Sequence, residues 1–164
     1  MNDDISNNDT SGQKVASYLN HTTPRNPCHI KGGKMDHLKL KGTKYTVNVD
    51  FNPETGILEL AGASYPENAS EFYQPIFDWI NKYIAEIGKA ITLNLRLNYL
   101  NTSSTKCMLD IIDLLEDYYR EQKQVVINFY YAEDDEDILE TGEEFLEDAV
   151  VPINLISYKD SDSE

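Results

Sequence analysis

Apolar positions recur along this chain with two different periods, and the alternation between those periods lays out a series of strands and helices that opens near Met35. Tyr45, Val47, Val49 and Phe51 alternate with Thr46, Asn48 and Asp50, the period-two pattern of a half-buried strand. Asn52-Pro53-Glu54-Thr55-Gly56 is rich in turn formers, and Ile57 to Ala61 reads as the second arm of a hairpin. After Ser64-Tyr65-Pro66-Glu67-Asn68 the period lengthens. Tyr73, Ile76, Phe77, Ile80, Ile84 and Ile87 share one helical stripe that Gly88 closes. Pro75 fits such a helix only near its first turn. Ile91, Leu93, Leu95, Leu97 and Tyr99 take one side of a third strand, with Thr92, Asn94, Arg96 and Asn98 on the other. Met108, Ile111, Ile112, Leu115 and Tyr119 form the next helical stripe. A strand from Val125 to Tyr131, an acidic helix near Ile138 to Ala149 and a strand from Val151 to Tyr158 complete the series.

This order predicts an α/β fold: a single open, mostly parallel five-stranded sheet whose first strand is antiparallel. Right-handed crossovers stepping in one direction place every helix on the same face, which agrees with the polar alternate positions of the strands. Loops leaving the carboxyl ends of parallel strands share one edge, the usual binding edge of open α/β sheets. Ser64 to Asn68, Asn101 to Ser104 and Glu133 to Asp137 are therefore expected to meet. Residues 1–34 lack apolar periodicity, end in Lys31-Gly32-Gly33-Lys34 and read as a flexible arm. The folded domain is expected over 35–158, with an acidic tail at 159–164.

Charge narrows the partners. With 14 Lys and Arg against 29 Asp and Glu, the net charge of −15 repels nucleic acid and anionic membrane surfaces and favours a protein partner with a basic face. The chain has no apolar run of about 18 residues and no basic-then-apolar start, so a cytoplasmic protein is expected. Cys28 and Cys107 have neither metal-ligand nor disulfide spacing; Cys107 reads as a small core residue and Cys28 as incidental.

Asn101-Thr102-Ser103-Ser104 stands between a strand and a helix, where free backbone N–H groups and the helix dipole favour an anion. The plainer reading is that Ser103 or Ser104 caps the helix; one hydroxyl can cap while a neighbour accepts phosphate. Glu133, Asp135, Asp137 and Glu144 match acidic positions of a calcium loop, yet Ile138 stands where that loop needs Gly. A phospho-aspartate receiver would need an acceptor aspartate where Tyr99-Leu100 ends the strand. The acidic run reads otherwise as a solvated helix face, or as a field that draws a basic partner. His21, His29 and His37 lie in or beside the arm, with no nucleophile at catalytic spacing. Glu67 reads first as a dipole or capping group near a helix start, and Tyr65, Tyr73 and Trp79 as packing groups before partner contacts. A small metal-dependent hydrolase using Glu67 and the 133–137 loop, and an interaction module with no switch, are the competing functions.

Ser64-Tyr65-Pro66-Glu67-Asn68, then Trp79, then Leu100-Asn101-Thr102-Ser103-Ser104, then Asp134-Asp135-Glu136-Asp137 together resemble the SiaC family of bacterial regulatory phosphoproteins, from Met35 to about Tyr158. The resemblance implies a fold similar to the anti-sigma-factor antagonists (STAS-like); no cofactor is expected, and exposed carboxylates without an activated nucleophile predict no catalysis. It implies that Thr102 is phosphorylated by a serine/threonine kinase and cleared by a PP2C-type phosphatase. The bare form would then bind and activate a diguanylate cyclase, linking the chain to cyclic di-GMP signalling, with Tyr65, Pro66, Glu67, Asn68, Asn101, Ser103 and Ser104 around the contact. Two departures stand out. The family usually begins near Met35, so nothing carries over to residues 1–34, and Val47 stands where members often have Pro.

Overall fold

The computed structural model describes residues 34–159. Its strands are β1 (Leu38–Leu40), β2 (Asn48–Asn52), β3 (Ile57–Ser64), β4 (Ile91–Leu100), β5 (Val125–Ala132) and β6 (Ile153–Tyr158). Its helices are α1 (Ala69–Glu86), α2 (Thr102–Arg120) and α3 (Glu136–Asp148). The strands lie in one sheet in sequential order. β1, β2 and β3 pair antiparallel, while β3 to β6 are parallel.

The sheet therefore has six strands rather than the expected five. The extra one, Leu38-Lys39-Leu40, carries only two inward residues, too short a run for periodicity to reveal; Leu38 pairs with Phe51 and Leu40 with Val49. The strand after it also starts later than its alternation suggests. The Thr43 hydroxyl accepts the N–H groups of both Tyr45 and Thr46, and this local turn competes with strand pairing. Tyr45 consequently sits in a bend and is 49% exposed.

Turn and cap chemistry fixes the remaining boundaries. Asn52 accepts the Glu54 N–H on its side chain and the Gly56 N–H on its carbonyl, closing the hairpin. Asn68 caps α1 by accepting the Glu71 N–H, and its own amide reaches back to the Glu71 carboxylate. Because α1 begins at Ala69, Pro75 lies in its second turn rather than its first. Pro75 and Glu71 are both exposed, so water can take the Glu71 carbonyl that the missing N–H leaves free.

The core lies between one face of the sheet and the helices. Val49, Phe51, Leu58, Leu60, Leu93, Leu95, Ile127 and Phe129 point into it, against Tyr73, Ile76, Ile80, Met108, Ile111, Leu115, Ile138 and Phe145. Trp79 stacks on Tyr83 and meets Phe51 edge-on, while its indole N–H donates to the Asp36 carbonyl. The other face of the sheet is polar. There Asn154 donates to Asn128 and Asn128 to Asn94, and Arg96 binds Glu59 and covers the Tyr130 ring.

Candidate functional site

The carboxyl ends of β3 and β4 bring together two of the three loops expected at this edge. The Asn101 N–H donates to the Ser64 carbonyl at 3.1 Å. Beneath that bond, the Ser64 hydroxyl lies 2.7 Å from the Tyr73 hydroxyl and 2.8 Å from the Ser104 hydroxyl. Ser64, Tyr73 and Ser104 are fully buried. Burial pushes the Tyr73 phenol up to about 12, with the Ser64 hydrogen bond opposing that shift, so at neutral pH it is a protonated hydroxyl.

Asn101, rather than Ser103 or Ser104, is the cap of α2. Its side-chain oxygen accepts the Ser104 N–H at 2.9 Å, and its carbonyl accepts the Thr105 N–H and hydroxyl. An amide oxygen spans the distance to the third helical N–H from an extended Asn101 backbone (φ −88°, ψ 176°). This leaves the serines free for other work. Ser104 turns inward and spends its hydroxyl on Ser64, so it does not reach the surface expected of a partner contact. Thr102, the first residue of α2, and Ser103 are exposed, and neither hydroxyl is engaged among the described residues.

On the neighbouring loop Tyr65 is 37% exposed, Glu67 and Asn68 are exposed, and Pro66 is half-buried. Asn68 is occupied as the α1 cap, whereas the Glu67 carboxylate has no hydrogen-bond or ion-pair partner among the described residues. The Tyr65 N–H donates to the Tyr45 carbonyl at 2.8 Å. The Tyr65 ring stands between those of Tyr45 and Tyr99, each 5.3 Å away and nearly perpendicular.

Tyr99 reaches this row because strand alternation fails just before it. Gly62 pairs with Leu97 but Ala63 pairs with Tyr99, so Asn98 is an extra residue in β4. Gly62 takes φ +118° at this point, a conformation glycine allows. The bulge reverses the remaining parity: Leu100 packs on the core and Tyr99, expected to face inward with Leu97, is 51% exposed. Tyr45 and Tyr99 are the site residues that alternation alone misses. The adjacent apolar pair Tyr99-Leu100 is the signal that the period-two pattern ends there.

The third loop builds a separate feature. Asp134, Asp135, Glu136 and Asp137, with Asn98, Ala132 and Tyr158, line an open hollow of about 550 Å³. Glu67 is not among its walls, which does not favour a joint hydrolytic site. Asp135 caps α3 by accepting the Ile138 N–H, and Asp137 and Glu144 belong to the helix. A calcium loop would have to wrap those positions around an ion, and helical backbone prevents it. Among the described residues no group of three His, Cys, Asp or Glu side chains is placed to hold a metal ion. His37 pairs with Asp50 at 2.8 Å on β2. His21, His29 and Cys28 lie outside the described residues, as does the expected arm apart from Lys34. Cys107 packs partly buried against the core, and burial pushes its thiol up. No helix among the described residues is long and apolar enough to cross a membrane.

Comparison with known proteins places this arrangement. Residues 40–158 match the model of the SiaC family regulatory phosphoproteins. An uncharacterized protein of Pseudomonas aeruginosa strain UCBPP-PA14 is 36% identical over 124 residues, covering 76% of this chain and 98% of the relative. SiaC of Pseudomonas aeruginosa superposes with a TM-score of 0.71 at 35% identity, covering 76% of this chain and 100% of its own. A structure of the diguanylate cyclase SiaD with its activator SiaC, from the same organism, gives a TM-score of 0.71 at 36% identity, covering 74% of this chain and 99% of the matched one. On the family match and the relative's identity and coverage, the chain belongs to the SiaC family of regulatory phosphoproteins.

Proposed function

We propose that this protein is a cytoplasmic, phosphorylation-switched adaptor without catalytic activity of its own. Its bare form binds and activates an effector, a diguanylate cyclase that makes cyclic di-GMP. A partner serine/threonine kinase phosphorylates Thr102, and a PP2C-type phosphatase restores the hydroxyl. In this reading the architecture is a relative of the anti-sigma-factor antagonists, enlarged by β1.

The observation that carries the reading is the position of Thr102. Its hydroxyl is exposed and unengaged at the first residue of α2, on the edge where Tyr65 and Tyr99 stand out from the surface. A kinase can reach such a hydroxyl without unfolding anything. The first-turn N–H groups and the positive end of the helix tolerate a dianion there. An effector packed on the same edge meets added charge of about −1.5 to −2 and three new acceptor oxygens. The Pseudomonas relative named as activator of SiaD supports the choice of a cyclase.

The partner surface in this reading comprises Tyr65, Pro66, Glu67, Asn68, Asn101 and Ser103, to which Tyr45 and Tyr99 are added and from which buried Ser104 is withdrawn. Exposed tyrosines combine large contact area with a polar tip and are enriched at interface hot spots.

The test adds the purified bare chain to the Pseudomonas aeruginosa cyclase SiaD and follows conversion of GTP to cyclic di-GMP. Stimulation that saturates with the chain, and disappears when Tyr65 and Tyr99 are both changed to Ala, is the expected result. Absence of both binding and stimulation would contradict the adaptor reading.

A further inference from the structure

Ser64 and Ser104 stand 40 positions apart in sequence, yet their hydroxyls meet at 2.8 Å in the fully buried space beneath the Thr102 edge. The Tyr73 hydroxyl, 2.7 Å from Ser64, completes the group. Buried hydroxyls that satisfy one another add little net stability over a well-packed apolar replacement, but they admit few alternative arrangements. Each member is fixed to a different part of the edge: Ser64 immediately precedes Tyr65, Ser104 is in the first turn of α2, and Tyr73 is on α1. A parallel main-chain bond from Asn101 to the Ser64 carbonyl ties the same two loops.

We propose that Ser64, Ser104 and Tyr73 are positioning residues that carry the state of Thr102 to Tyr65, an inference that rests on Thr102 being the phosphorylated residue. Phosphate on Thr102 brings three strong acceptors to the first turn of α2, where the Ser104 N–H is held by the neutral side-chain oxygen of Asn101 at 2.9 Å. A dianion competes for that donor. As the cap loosens, the Ser104 backbone moves and takes its hydroxyl along. Ser64 follows through the hydroxyl pair, and the Tyr65 amide, bound to the Tyr45 carbonyl at 2.8 Å, reports the movement. The modification thus displaces the tyrosine row as well as adding charge beside it.

Amide exchange at Tyr65 tests the coupling without any effector. Full-length protein carrying phosphothreonine at 102, installed during synthesis, is compared with the bare chain, each in wild-type, Ser104→Ala, Ser64→Ala and Tyr73→Phe backgrounds. Phosphorylation is expected to change Tyr65 exchange by about tenfold in the wild type and by less than about twofold in Ser104→Ala and Ser64→Ala. Tyr73→Phe, which keeps the Ser64 to Ser104 contact, is expected to give an intermediate response. Cooperative melting of each variant shows that the fold is retained, and a merely structural role would lower melting temperatures while leaving the phosphorylation response intact. An undiminished response in both serine variants, or none in the wild type, would overturn the coupling. Loss of effector binding on phosphorylation, measured separately, decides the switch itself, so the two failures are distinguishable.

Discussion

The buried carboxylate of Glu116, on α2, accepts the backbone N–H of Val150 in the segment that leads from α3 into β6. Its other oxygen lies 3.7 Å from the Arg120 guanidinium. This is a long-range tie between an acidic helix and the loop before β6. Truncation to Glu116→Ala is expected to cost about 2 kcal/mol, because it removes a charge-assisted bond made by a buried carboxylate. Glu116→Gln keeps an acceptor oxygen and should cost about half as much. Urea unfolding of the two variants checks the order.

Gly142 is where α3 comes closest to the sheet. A methyl group there would lie 2.8 Å from ring atoms of Phe129 and 3.0 Å from the Leu155 side chain. Phe129 is fully buried and held edge-on by Phe145, so it has little room to yield. Alanine in place of glycine raises helix propensity by about 1 kcal/mol, while overpacking costs about 1 to 3 kcal/mol. Gly142→Ala is therefore expected to be destabilising by roughly 1 kcal/mol despite its better helix propensity. A higher melting temperature would show that α3 can lift away from the sheet.

Asp113 carries an unfavourable charge. Burial first, then Glu116, Asp110 and Asp117, push its carboxyl above the ordinary value of 3.8, with Arg120 opposing. A carboxyl raised by folding binds its proton more tightly in the native state, so its contribution to stability falls as pH rises from that ordinary value through the raised one. Above this window the deficit is constant. Because Asp113 is exposed, solvent screens much of this deficit, and Asp113→Asn should stabilise the protein at neutral pH by no more than about 0.3 kcal/mol, the size of a like-charge helix pair. The gain should fade as pH falls through the raised value and be gone below the ordinary one, and unfolding curves at several pH values measure it.

Tyr65 and Tyr99 separate binding from folding. Because both side chains are substantially exposed, replacing either with Ala is expected to shift stability by less than about 1 kcal/mol. Loss of effector affinity should exceed about tenfold for each if the aromatic row is the contact surface. Titration calorimetry beside thermal melting reports both quantities.

Much of this architecture is legible in the sequence because alternation and helical stripes are physical consequences of burial. Val49 and Phe51, Leu93 to Leu97, and Met108 to Leu115 all point where their spacing directs them. The misses have local causes. Leu38-Lys39-Leu40 is too brief to show a period, and the Thr43 hydroxyl breaks the alternation at Tyr45. Asn98 inserts one residue against β3 and turns Tyr99 outward. At the site, the meeting of the Ser64 to Asn68 and Asn101 to Ser104 loops follows from strand order, but the assignment of cap and buried hydroxyl does not. Asn101, Ser103 and Ser104 are all competent caps, and only the fold, by placing Ser64 beneath Ser104, distributes the roles.

The central claim concerns Thr102, and the most direct measurement compares effector affinity of bare protein with that of protein carrying phosphothreonine at this position. Both forms are expected to melt cooperatively within a few degrees of one another, since the modified residue is exposed at a helix start. Binding to the cyclase should fall by about a hundredfold or more, corresponding to about 3 kcal/mol of repulsion and desolvation. Thr102→Ala should fold and bind, and Thr102→Asp should fold and bind poorly, though one carboxylate imitates phosphate incompletely. Equal affinity of the phosphorylated and bare forms would contradict the account.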